Sequence, residues 1–378
     1  MPLLRSLVLA SLGAATACVA TASATGAPPT TSPSCPTASD AATPAPPTAT
    51  DPLAAVTLDA RPAWADRYAE TNAGDMRFFD IAALMSKHGL GRDRAVELQN
   101  HYRDLSRSDP GGSPAAHFDA ALARATAGQF EDRRAVELLA KARFIVVFDL
   151  DDTLYDQFYD AAAAGCHDLE VEHTRPKPTR RKLELAPGAA AALDRIAALG
   201  GAIVIFSAYL DEPTVANLRA WQFGGKPLPE HPAIAGVLTN SHLVLQPRKD
   251  GTPVVEPAKD LRILDESLTR VILVDDNPLR TFQPRNVRVT HKFDATRYCT
   301  TKDAKLRKLY ERTLPTVVAE IEEALRYATE HDVDFARAYL PYSQIGGVAT
   351  AALREAGMSE RAAIAFVRAH PEIVESEF

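Results

Sequence analysis

The sequence has no HExxH string and no Cys/His pair at zinc-finger spacing, so no linear motif supports zinc chemistry. It also lacks a long basic block. The 42 Lys and Arg are outnumbered by 49 Asp and Glu, for a net charge of -7, and that balance argues against nucleic acid as a partner. The first apolar run is too short and too Ala-rich for a good permanent span, so no transmembrane segment is expected. What is present is ample apolar material. Hydrophobic residues make up 46% of 378 positions, enough for one or two soluble globular domains, each with its own core.

Residues 1–24, MPLLRSLVLASLGAATACVATASA, place one Arg before an apolar run that ends in small residues, the layout of a bacterial export signal. The expected location is therefore periplasmic, extracellular or lipid-anchored at the envelope. Small residues precede candidate cleavage points after Ala17, Ala22 and Ala24. The first would leave Cys18 at the new N-terminus, and ATAC resembles a lipoprotein signal, although Ala15 stands where Leu is more usual. A simple secretory signal and an unprocessed Ala-rich tail are the other readings. Residues 25–52 are nearly all Pro, Thr, Ser and Ala and cannot bury enough apolar surface to offset ordering entropy, so they read as a disordered tether. Export would let Cys166 and Cys299 pair, but a separation of 133 positions carries no geometry.

From 53 to 143 the periodicity is helical, in RFFDIAALMSKHG, RAVELQNHYRDL and DRRAVELLAKAR, with breaks at Gly89, Gly91 and DPGGSP. RAVEL occurs at 94–98 and at 134–138; one shared pentapeptide reads more readily as coincidence than as a repeat. From 144 to 330 apolar runs alternate with helical stretches, which predicts an α/β fold: a parallel sheet covered on both faces, in three layers. FIVVF, AIVIF, VILV and VRVTH are the predicted strands. PGAAAALDRIAAL and DEPTVANLRAW are predicted helices, and VLTNSHLVLQPRKDGTPVVEP a strand and hairpin turning at Asp250-Gly251. A long helix over about 303–328 closes this domain, and 331–378 reads as small helices, the last from near Ser359 to before Pro371.

In an open parallel sheet, functional groups collect beyond the carboxyl ends of the strands. FIVVF runs into Asp149 and Asp151, AIVIF into Ser207, and VILV into Asp275 and Asp276; Lys259 lies sixteen positions before Asp275. Carboxylates sharing one site repel each other unless a cation offsets them. Oxygen-only donors of this kind suit Mg²⁺, which leaves positions for a substrate phosphate. A Ser hydroxyl and a Lys ammonium supply what a transferring phosphoryl group needs.

These four motifs, in this order, resemble the haloacid dehalogenase (HAD) superfamily of phosphotransferases. Within it, DLDDTL, LELAPGAAAALDRIAALGGAIVIFSA, AKDLRIL and VILVDDNPLRTFQPRN resemble the NLI-interacting-factor-like, or RNA polymerase carboxy-terminal-domain phosphatase, family over roughly 144–327. The resemblance implies an Mg²⁺-dependent phosphomonoesterase. Asp149 is then the nucleophile that forms an aspartyl-phosphate, and Asp151 the acid that protonates the leaving oxygen and afterwards activates water. It implies that Asp149 and Asp275 bind Mg²⁺ through side chains and Asp151 through its backbone carbonyl. Ser207 and Lys259 would hold the phosphoryl oxygens, and Thr153 and Asp276 support the site. Two departures weaken the subfamily match: the close family often has Asn in place of Asp276 and Thr in place of Ser207. An exported protein is also wrongly placed for nuclear polymerase tails, so that substrate is not transferred.

Lys249 is the competitor for the role given to Lys259, and KDL favours the latter. RPKPTRRK at 175–182 lies where the superfamily puts a flap; it reads either as a patch that steers an anionic substrate or as a plain solvated loop. His167 and His173 read as surface histidines. Only 58 positions separate Asp149 from Ser207, and 52 separate Ser207 from Lys259, too few for a large cap domain. An open crevice would admit a phosphoprotein as well as a phosphorylated small molecule. The alternatives are a class C acid phosphatase-like nucleotidase and a non-catalytic binding protein on the same fold.

Overall fold

In the computed structural model of the chain, the described residues are 78–79, 81–129, 133–158, 166–174, 178–247 and 255–375. The signal, the tether, Cys18, Lys249 and the Asp250-Gly251 turn lie outside them. Helices α1 (Ile81–His88), α2 (Arg92–Ser108), α3 (Pro114–Thr126) and α4 (Arg133–Lys141) come first. DPGGSP starts α3 as its composition suggests: Pro114 occupies the first turn and the Ser113 side chain accepts from Ala116 N. The two RAVEL copies play unlike parts. Val96 of α2 is fully buried, whereas Val136 of α4 is 51% exposed, which favours the coincidence reading.

Strand β1 (Phe144–Phe148) opens the α/β region, and β2 (Tyr155–Phe158), β3 (Leu169–His173) and β4 (Thr179–Leu185) follow it. Next come α5 (Ala189–Ala198), β5 (Gly201–Phe206), α6 (Asp211–Ala220), the short strands β6 (Gln222–Phe223) and β7 (Lys226–Pro227), and β8 (Ile234–Leu238). The hairpin β9 (Val244–Pro247) and β10 (Val255–Ala258), β11 (Val271–Asp275), β12 (Val287–Val289) and α7 (Ala295–Thr300) complete the region. Then α8 (Ala304–His331), α9 (Phe335–Tyr339), α10 (Gln344–Glu355), α11 (Glu360–Ala369) and α12 (Glu372–Glu375) reach the C-terminal end of the described chain.

The central sheet has the order β12-β11-β1-β5-β8, and every pairing is parallel. β1, β5 and residues 271–274 of β11 are apolar on both faces, as a sheet between helical layers requires. Phe144, Val146 and Phe148 pack with Leu193 and Ile196 of α5 and with Val317 and Ile321 of α8; Ile145 and Val147 pack on the opposite side with Leu245 and Leu261. β1 lies in the middle, so the chain leaves it at the centre of the carboxyl edge. Among the described residues, no helix is long and apolar enough to cross a membrane.

Two expectations need correction. The basic run is not a solvated loop over its described part: from Thr179 it is β4, the middle strand of an antiparallel sheet ordered β2-β4-β3. Two of its charges are matched across the strands: Arg180 bonds Glu170, and Lys182 Nζ lies 3.5 Å from the same carboxylate. His173 is not a surface residue; it is 6% exposed, and its Nε2 lies 2.7 Å from Asn217 Oδ1. His167, by contrast, is partly exposed beside Glu170. Cys166 and Cys299 form a disulfide, with Cα atoms 6.0 Å apart, that joins the segment before β3 to α7.

Candidate active site

The site grows from the middle of the sheet. Asp149 keeps the register of β1 for one more residue, because its N–H donates to Val274 O at 2.9 Å. The chain then folds tightly: Leu150 O accepts from the N–H groups of Leu154 (2.9 Å) and Tyr155 (3.2 Å), and Asp152 takes a left-handed φ of 62°. Aspartate tolerates that conformation better than a branched residue would. The turn brings Asp151 towards β5, where Ser207 Oγ donates to Asp151 Oδ2 at 3.0 Å. Ser207 is itself fixed, since its Oγ accepts from Tyr209 N at 3.0 Å and its N–H donates to Leu238 O at 2.9 Å.

Lys259 arrives from the end of β10. Its N–H donates to Arg280 O (2.9 Å) and its carbonyl accepts from Phe282 N (3.2 Å), pinning it to the loop after β11. Only 1% exposed, it directs its Nζ to Asp149 Oδ1 at 2.6 Å and to Asp275 Oδ2 at 2.7 Å. The other Asp275 oxygen, Oδ1, accepts from Asn277 N at 2.7 Å. Thr153 is buried in the turn; its N–H donates to Leu150 O at 3.4 Å, and its hydroxyl has no partner among the described residues.

The electrostatics are unbalanced. One ammonium cannot neutralise Asp149, Asp151 and Asp275 together. Burial raises Asp149 well above the usual carboxylate range, and Asp275 and Asp151 add to the rise while Lys259 opposes it. Burial likewise raises Asp151, against hydrogen bonds from Ser207 and Tyr155. Asp276 is pushed up to about 6 by burial, then by Asp275 and Asp152. Burial alone would lower Lys259, but Asp149 and Asp275 outweigh it and hold the ammonium charged. Carboxylate oxygens of Asp149, Asp275 and Asp276 lie within 4.8 Å of one another. A hard divalent cation fits this donor set, being all-oxygen, crowded and short of positive charge.

Sequence reasoning missed a buried hydrogen-bonded series behind Asp151. The Tyr155 hydroxyl bonds Asp151, Asn217 Nδ2 donates to Tyr155 Oη at 2.7 Å, and Asn217 Oδ1 meets His173 Nε2. The one available signal was Tyr155 itself, a phenol immediately after the DLDDTL string.

Residues 144–323 match the family model described as NLI interacting factor-like phosphatase. No curated protein matches the chain. Among solved structures, the chain is similar to a variant of fission yeast RNA polymerase II CTD phosphatase Fcp1 bound to beryllium fluoride. The two are 14% identical, with 60% of this chain and 68% of that chain covered and a TM-score of 0.32. A structure described as Fcp1, an essential RNA polymerase II CTD phosphatase, is also 14% identical, with 61% and 69% covered and a TM-score of 0.33.

Proposed function

We propose that this protein, whose residues 144–323 are an NLI interacting factor-like phosphatase domain of the HAD type, hydrolyses phosphomonoesters through an aspartyl-phosphate on Asp149. The observation that carries the reading is the pair Asp149 and Asp275 held on one buried ammonium, at 2.6 and 2.7 Å, with Asp151 and Ser207 bonded alongside. Asp149 attacks phosphorus as the bond to the leaving oxygen breaks. Asp151, whose burial favours the protonated form, gives its proton to that oxygen. It then takes a proton from the water that attacks the phosphoryl group, releasing phosphate and regenerating Asp149. Ser207 and Lys259 bind phosphoryl oxygens, and Lys259 also restrains the nucleophile.

Asp149 and Asp275 would hold Mg²⁺ by their side chains and Asp151 by its carbonyl, with Asp276 beside them. When bound, Mg²⁺ supplies the positive charge that offsets the carboxylates and binds the substrate phosphate. Thr153 packs in the turn that sets Asp149 against Asp151. The substrate is a phosphorylated small molecule or a phosphoprotein, met outside the cytoplasm after export directed by residues 1–24. Cell fractionation of the parent and Cys18→Ser separates a lipid anchor from simple secretion, since only the anchored form changes fraction.

Hydrolysis of a generic aryl phosphate tests the enzyme reading. The parent should turn over with Mg²⁺ and stall without it, and Asp149→Asn should be inactive in both conditions. Equal rates in parent and variant would remove the claim.

A further inference from the structure

Glu184 is an anomaly outside the strand-tip site. It lies on β4, is 7% exposed, and its Oε2 has no hydrogen-bond partner among the described residues. Buried polar atoms are nearly always paired, and leaving one unpaired is costly. Burial, with Asp168 adding to it, pushes the Glu184 carboxyl up to about 7. Beside it lie two sulfurs: Cys166 Sγ, Cys299 Sγ and a Glu184 carboxylate oxygen are all within 4.8 Å of one another. The 6.0 Å between the cysteine Cα atoms lies in the ordinary disulfide range, and it also lets two separated thiolates bind one cation.

We propose that, once the disulfide is reduced, Cys166, Cys299 and Glu184 form a binding site for a thiophilic divalent cation of the zinc class. Two thiolates and a carboxylate are a soft, borderline donor set, chemically distinct from the all-oxygen cluster at the strand tips. The buried carboxylate, an orphan beside the disulfide, becomes the third ligand, and a water takes the fourth tetrahedral position. The ligands come from three segments: the chain before β3, β4 itself, and α7. The antiparallel sheet is therefore tied to α7 by a covalent bond under oxidising conditions and by a cation under reducing ones.

The redox step balances with a trialkylphosphine as reductant. The S–S bond takes two electrons from phosphorus, water gives its oxygen to the phosphine oxide, and its two protons go to the sulfurs. Each thiol then releases its proton as the cation binds, so uptake liberates acid. The proposal is independent of the phosphatase reading, because it concerns neither the strand-tip carboxylates nor turnover.

Cd²⁺ titration of the full chain tests it, in a Cys18→Ser, Cys35→Ser background that removes the other two thiols. After reduction by the phosphine, one equivalent of Cd²⁺ should produce the ultraviolet thiolate-to-metal charge-transfer band, and the unreduced protein should give none. Glu184→Gln keeps both thiols and should bind Cd²⁺ at least about tenfold more weakly, the low end of what even an outer-shell partner costs. No band in the reduced parent, or equal affinity in Glu184→Gln, overturns the site. Co²⁺ provides a check that needs no variant at Glu184: intense tetrahedral visible bands support the four-coordinate arrangement, and weak octahedral ones refute it.

Discussion

Asp149 and Asp211 both follow the carboxyl ends of neighbouring parallel strands, yet their surroundings push them in opposite directions. Around Asp211 the charge is settled. Its carboxylate accepts from Thr239, from Ser241 Oγ at 2.9 Å and from Arg107 Nη2 at 3.1 Å. Burial alone would raise it, but the Thr239 hydrogen bond, Arg103, Ser241 and Arg107 together hold it below its ordinary range. The same helix, α2, clamps the loop after β8: Gln99 Nε2 donates to the carbonyls of Ser241 (3.1 Å) and Leu243 (2.9 Å), and Arg103 Nη1 to that of Asn240 (3.1 Å). Around Asp149 the charge is left open, with one ammonium among at least three carboxylates. A cluster that satisfies itself belongs to the architecture. One that keeps excess negative charge in a buried place is costly unless a cation offsets it, which is the part the proposed reading gives to Mg²⁺.

The largest effect should come from removing the shared ammonium. Lys259→Met leaves Asp149 and Asp275 buried without their partner, and the expected loss of stability is about 3–5 kcal/mol by denaturant unfolding. Activity on an aryl phosphate should fall by roughly 10³-fold or more if, as proposed, the same group binds phosphoryl oxygens. Added Mg²⁺ should recover part of the stability in Lys259→Met, and more there than in the parent. Unfolding that ignores Mg²⁺ in both proteins would break the contrast between the two aspartates.

Asp211→Asn should do less and should do it differently. It loosens the dock of α2 on the loop after β8, costing roughly 1–3 kcal/mol, while kcat on the folded enzyme stays near that of the parent. The pH dependence has a definite sign. The folded carboxyl lies below the ordinary aspartate value of 3.8, so its contribution is present above about pH 4 and is lost as pH falls through the lowered folded value. Asp211→Asn should flatten that acid limb of the stability curve. A variant that keeps its stability but loses turnover would move Asp211 from the architecture into the site.

Legibility followed distance along the chain. Asp149 and Asp151, and likewise Asp275 and Asp276, end apolar runs whose strand character is plain, so parallel-sheet logic alone brings them to one edge. Lys259 was reachable through its KDL string but not through periodicity, because a backbone bridge to Thr281 places it rather than a strand of the main sheet. The sheet of β2, β4 and β3 was obscured by its own charges. In TRRKLEL only Leu183 and Glu184 are buried, and Arg180 and Lys182, which resemble part of a solvated loop, meet Glu170 across the strands. His173 read as exposed for the same reason: its partner, Asn217, is 44 positions away on a helix. Glu184 gave no signal, because an acid beside a basic run reads as surface until the fold buries it.

The smallest expected effect concerns the residues behind Asp151. In the buried series, Asn217 Nδ2 donates to Tyr155 Oη at 2.7 Å, which leaves the phenol proton to point at Asp151. Burial, followed by the Asp151 charge, holds the Tyr155 hydroxyl well above its ordinary range, so it stays a donor throughout the working pH. On the proposed mechanism it is a positioning residue, orienting the carboxyl that meets the leaving oxygen. Tyr155→Phe should therefore lower kcat by about 5- to 10-fold, the worth of one hydrogen bond of about 1–1.4 kcal/mol, with KM unchanged. In an Asp151→Asn background, the same substitution should have no further effect on kcat, because the group being oriented is no longer an acid. A rise in KM with kcat intact would mean that Tyr155 shapes the substrate pocket, and the unbalanced cluster would then lose its fixed proton donor.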